Sequence, residues 1–93
     1  MEIKHKEIDS RGMFYIESDK GLIAELTYIK SDSNVLTIDH TEVKREMENR
    51  GIGSSLVEKS VEYARENNYK IEPLCPFAEV QFERNASYKD VRA

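Results

Sequence analysis

The sequence predicts an α+β fold: an antiparallel meander of about four strands, then a strand–helix–strand unit and a short C-terminal helix. Three observations predict it. Short runs of β-branched and aromatic residues fill positions 2–43, separated by polar turns. Beyond residue 51 the apolar residues fall on one face of a helix instead of alternating. Finally, Pro73-Leu74-Cys75-Pro76 interrupts the chain before a last short segment.

The elements follow in order. Residues 2–8 alternate imperfectly and read as an edge strand. Ser10-Arg11-Gly12 reads as a turn, and 13–18 as a strand through Phe14, Tyr15 and Ile16. Asp19-Lys20-Gly21 suits a hairpin connection. In 22–30, period-two alternation places Leu22, Ala24, Leu26 and Tyr28 on one face. Ser31 to Asn34 turns the chain into a fourth strand, 35–43. By the same alternation His40 shares a side with Leu36 and Ile38, and Asp39 faces the other way. A charged loop, 44–50, precedes a helix that ends near Asn67-Asn68. With Ile52 at 0°, Leu56, Val57, Val61, Tyr63 and Ala64 fall between about 20° and 180° at about 100° per residue. Glu58, Lys59, Glu62, Arg65 and Glu66 occupy the remaining arc. Residues 69–72 form a short strand and 77–84 a second helix. The strands flanking the first helix are expected to be parallel.

The chain has 93 residues, 39% hydrophobic and 34% charged, with net charge −4 and a pI near 5.2. Its length fits one domain, 1–93. A charged fraction above the usual ~25% leaves a lean core, so a bound ligand would matter to stability. The acidic balance argues against nucleic acid as a partner, since such binders concentrate Lys and Arg. No apolar run approaches the ~20 residues that span a bilayer, and the start lacks the apolar stretch of a signal peptide. One cysteine cannot close an internal disulfide. A cytoplasmic protein, monomeric or a weak homodimer, is expected.

Three features carry chemistry. Arg50-Gly51-Ile52-Gly53-Ser54-Ser55 opens a helix. The first turn of a helix leaves about four amides without partners, and with the dipole they form an anion site. Glycine lets phosphate oxygens approach the backbone; Ser54 and Ser55 add hydroxyls and Arg50 a charge. The same glycines also serve a plain helix cap. The P-loop pattern is absent, and G-x-G-x-x-G fails because Leu56 stands at the third glycine. Cys75 precedes Pro76, which suits the first helical position. That makes Cys75 the N-cap of the last helix, where a thiolate nucleophile is stabilised; a small buried hydrophobe is the other reading. His40 ends a strand beside the glycine loop and suits a general base or a structural hydrogen bond. His5 reads as solvated, and Glu42, Glu46 and Glu48 as a solvated rim. Glu25 or Asp39 would face a substrate only if the fold allowed it. Tyr88 reads as packing. Two histidines and one cysteine, widely spaced, give no metal signature.

Taken together, these residues resemble a known family. A strand, a charged loop and R-G-x-G-S-S opening an amphipathic helix resemble motif A of the GNAT acetyltransferases. His40-Thr41-Glu42-Val43, Arg50-Gly51-Ile52-Gly53, Cys75-Pro76-Phe77 and the tail from Asn85 to Val91 resemble a compact GNAT-like subgroup. The resemblance implies a truncated GNAT fold that binds acetyl-CoA. It implies that amides of Gly51, Gly53, Ser54 and Ser55 hold the diphosphate, and that Thr41, Glu42 and Val43 face the pantetheine arm. It further implies Cys75 as nucleophile or active-site group, with His40 its neighbour. Glu48 stands where the superfamily pattern has Gln or Arg. The implied activity is acetyl transfer to an amine, small-molecule or protein. A non-catalytic acetyl-CoA-binding module is the alternative, and an interaction protein without cofactor a third reading.

Overall fold

A computed structural model describes all residues, Met1–Ala93. Five strands form one sheet in sequence order: β1 (Lys4–Ile8), β2 (Arg11–Ser18), β3 (Gly21–Lys30), β4 (Val35–Val43) and β5 (Lys70–Pro73). The first four form the antiparallel meander, and β5 pairs parallel to β4. Helix α1 (Ile52–Asn67) is the crossover between them, and α2 (Pro76–Arg84) follows β5. A short 3₁₀ turn, Arg45–Met47, lies in the charged loop, and another, Ala86–Val91, ends the fold. No helix is long and apolar enough to cross a membrane.

The inner face of the sheet, with Phe14, Ile16, Leu26, Tyr28, Leu36 and Ile38 buried, packs against Leu56, Val57, Val61 and Ala64 of α1. Ser60 is buried among them at no polar cost, because its hydroxyl donates to the Val57 carbonyl at 2.7 Å. Asn68 closes α1 in the left-handed conformation, its amide bonded to Ala64 O. Both helices and the inner face belong to one core; no helix covers the outer face.

Two bulges correct the period-two reading. Between β2 and β3 the register shifts after Ile16, so Ile16 pairs with Ala24 but Glu17 with Leu22. Leu22 therefore turns to the outer face and is exposed. Between β3 and β4, Tyr28 pairs with Ile38 but Thr27 with His40. The extra residue, Asp39, reverses the alternation beyond it. His40 and Glu42 lie outside, opposite Thr27 and Glu25, while Thr41 and Val43 turn inward, opposite Leu26 and Ala24. The first turn also differs: Asp9, with φ 57°, and Ser10 make it, and Arg11 and Gly12 already belong to β2.

His5 is not merely solvated. Its ring stacks on Phe14 with centroids 4.1 Å apart, and its Nε2 lies 2.7 Å from the Tyr28 hydroxyl. Tyr28 donates to Glu7 Oε2 at 2.7 Å, so Nε2 of His5 carries a proton and donates to Tyr28. Glu7 also accepts from Lys30 Nζ at 3.0 Å and from Tyr63 Oη at 3.3 Å. One carboxylate thus ties β1 to β3 and α1. At the other end Tyr88 packs on Phe82, and Asp90 holds Arg65 at 2.9 Å.

Candidate functional site

Strands β4 and β5 pair only as far as Ile38 and Pro73. Beyond that point they separate, and the Ile38 carbonyl accepts from both Leu74 N (3.1 Å) and Cys75 N (3.0 Å). Cys75 is fixed at this fork. It caps α2, its Sγ accepting from Ala78 N at 3.5 Å, and Thr41 Oγ1 lies 3.4 Å from the same sulfur. The Asp39 bulge is what turns Thr41 toward it.

A cleft of about 450 Å³ opens at Thr41, within the usual range for ligand sites; Cys75 itself is buried and does not line it. Thr41 and Val43 of β4 form one wall, and Met47, Glu48 and Asn49 of the loop form its rim. Gly51, Ile52, Gly53 and Ser54 form the floor, and Phe77, Gln81 and Arg84 of α2 the opposite wall. Gly51 holds the left-handed conformation, φ 76°, that turns the chain into α1. No side chain caps this helix start. The amides of Ile52, Gly53 and Ser54 have no partner within the chain, so the positive end of the α1 dipole faces the cleft. Gly53 has a second duty: a Cβ there would fall 2.7 Å from the Phe77 ring.

Not every residue expected in the site reaches it. Ser55 gives both its amide and its hydroxyl to the Gly51 carbonyl, each at 3.0 Å, so it has no donor left. Arg50 does not line the cleft. His40 and Glu42 share the outer side of β4, bonded to each other at 3.1 Å, and His40 does not meet Cys75. Glu25 joins them there, with ligand-type atoms of the three within 4.8 Å of one another. Asp39 accepts from Thr27 Oγ1 at 2.7 Å. The residues that sequence reasoning missed are Met47, Asn49, Phe77, Gln81 and Arg84. For the last three a signal existed: spacing of four and then three puts them on one helical stripe, separate from buried Ala78 and Phe82.

A family model for GCN5-related N-acetyl-transferases matches residues 13–91. The chain belongs to that family. Among solved structures, this family member is similar to a GCN5-like N-acetyltransferase candidate from Staphylococcus aureus. The two share 40% identity with a TM-score of 0.75, over 97% of this chain and 87% of the other. Two more distant likenesses concern the fold alone. A candidate streptothricin acetyltransferase from Bacillus anthracis, in complex with acetyl coenzyme A, matches at 17% identity and TM-score 0.60, over 83% of this chain and 46% of that one. A predicted acetyltransferase from Clostridium acetobutylicum, solved with acetyl-CoA, matches at 15% and 0.63, over 81% and 56%. No curated protein matches the chain. The GNAT-like α+β fold expected from the sequence is the fold observed.

Proposed function

We propose that this GNAT family member is an acetyl-CoA-dependent N-acetyltransferase that uses the β4–β5 fork. The observation that carries the reading is the layout of the cleft: partnerless amides of α1 at one end and, at the other, Thr41, whose hydroxyl lies 3.4 Å from the sulfur of the buried Cys75 behind the wall. That layout suits a long ligand with an anionic diphosphate and a reactive thioester. The amides of Ile52, Gly53 and Ser54 take the diphosphate, and the pantetheine arm runs along Thr41 and Val43 to Cys75.

Acetyl transfer through Cys75 balances simply. Its sulfur attacks the thioester carbonyl, the C–S bond to CoA breaks, and the thiol proton leaves on CoA. An amine then attacks the acetyl-cysteine, and its proton returns to the sulfur. Hydrogen bonds from Ala78 N and Thr41 Oγ1 suit a thiolate at that position. Glu25, Glu42 and His40 give the outer side of β4 a charge suited to a cationic amine. Direct transfer would spare Cys75.

Two measurements test the reading. Isothermal titration with acetyl-CoA, with CoA for comparison, should show saturable binding. Mass spectrometry after incubation without acceptor should find one acetyl group on Cys75, absent from C75A, which still binds. Folded protein that binds no acetyl-CoA would sink the reading. Binding without transfer to any amine would leave the non-catalytic module instead.

A further inference from the structure

Helix α2 turns Phe77, Gln81 and Arg84 toward the cleft, facing the open amides of α1. Phe77 sets the spacing of the two helices by its close approach to Gly53. Arg84 is the one cationic side chain lining the cleft, and Glu48 the one carboxylate. Arg84 makes no ion pair within the chain, whereas Arg65 is held by Asp90 and Arg11 lies near Asp39. Arg50, adjacent to the glycine loop in sequence, stays outside the cleft.

A diphosphate brings about two negative charges into a space that already holds Glu48. A helix start offers the equivalent of only about half a positive charge. A full cation is needed to balance the ligand, and Arg84 alone is placed to supply it. We propose that Arg84 is the cationic contact for the diphosphate. The assignment rests on the acetyl-CoA reading above. A planar guanidinium binds phosphate oxygens in pairs, which a lysine cannot reproduce. The competing role for Arg84 is complementing the C-terminal dipole of α2, which predicts no effect on ligand binding.

The test compares wild type, R84Q, R84K and R50Q in titrations with acetyl-CoA and with 3′-dephospho-acetyl-CoA. Arg84 is exposed in the last turn of its helix, so R84Q should melt as wild type does. R84Q should bind acetyl-CoA about tenfold or more weakly, with the same factor lost for the dephospho ligand. R84K should recover part of the loss, and R50Q should stay within about threefold of wild type. Equal affinity of R84Q and wild type for acetyl-CoA overturns the assignment. So does a loss confined to the ligand carrying the 3′-phosphate. Wild type that binds neither ligand removes the acetyl-CoA reading itself, a result separate from either.

Discussion

A methyl group at Gly12 has nowhere to go. It would sit 2.3 Å from the Tyr28 Cζ and Oη atoms, and Tyr28 is fully buried and pinned by His5 and Glu7. The strand glycine is there so that the ring can lie across β2 and reach β1. Gly12→Ala should therefore destabilise by about 3 kcal/mol, from overpacking and a strained hydrogen bond, read as a drop in the urea midpoint at constant slope. Gly53→Ala meets a more yielding neighbour, because Phe77 is partly exposed. There alanine gains up to about 1 kcal/mol of helix propensity over glycine against a clash of about 1–3 kcal/mol. The variant should lose no more than about 2 kcal/mol, less than Gly12→Ala, while displaced Phe77 should weaken acetyl-CoA binding about tenfold. A variant as destabilised as Gly12→Ala with unaltered binding would show that Gly53 serves packing only.

Among the elements, the network joining β1, β3 and α1 sets the acid response. Burial raises the Glu7 carboxyl, but hydrogen bonds from Tyr28, Lys30 and Tyr63 and the Lys30 charge outweigh it, leaving it below its ordinary 4.5. Burial also lowers His5 below 6.5, outweighing the Glu7 charge. In both cases the unfolded chain binds the proton more readily, so stability rises with pH. The His5 contribution is lost as pH falls below 6.5, and that of Glu7 as it falls below 4.5 and through the folded value. Melts at stepped pH should show two declines. His5→Gln should flatten the upper one and Glu7→Gln the lower; a profile unchanged by both variants would refute the assignment. Little of this network was legible, because His5 and Glu7 sit among charged residues in a strand that reads as solvated. Helix α1 was legible because its period is unbroken over four turns. The bulges were not: a pattern of alternation carries no mark of the extra residue at Asp39. That residue alone moves His40 away from Cys75 and brings Thr41 to it. The stripe on α2 was hidden for another reason, since its meaning depends on a helix start more than twenty residues earlier.

At the scale of the whole molecule, all the helical packing lies on one face of one sheet, and the core holds only 17 buried residues. The cleft divides that layer, with β4 and the start of α1 on one side and α2 on the other. A ligand in it would bridge parts of the fold that otherwise meet through the shared core at Ala78 and Phe82, through Phe77 and at the β4–β5 fork. Binding to the folded state alone stabilises by about 2.7 kcal/mol at a ligand concentration of 100 Kd. In a domain of this size each kcal/mol moves Tm by about 4–8 °C. Saturating acetyl-CoA should therefore raise Tm by roughly 10–20 °C, a large response because the unliganded core is lean. The added protection should be local. Amide exchange should slow most in residues 49–56 and in α2, and least in β1 and β2, which lie across the sheet from the cleft. A melt unmoved by acetyl-CoA would exclude the cleft as its site. A rise with protection spread evenly over β1 to β5 would place the ligand elsewhere, since only occupancy between α1 and α2 tightens those two helices before the sheet.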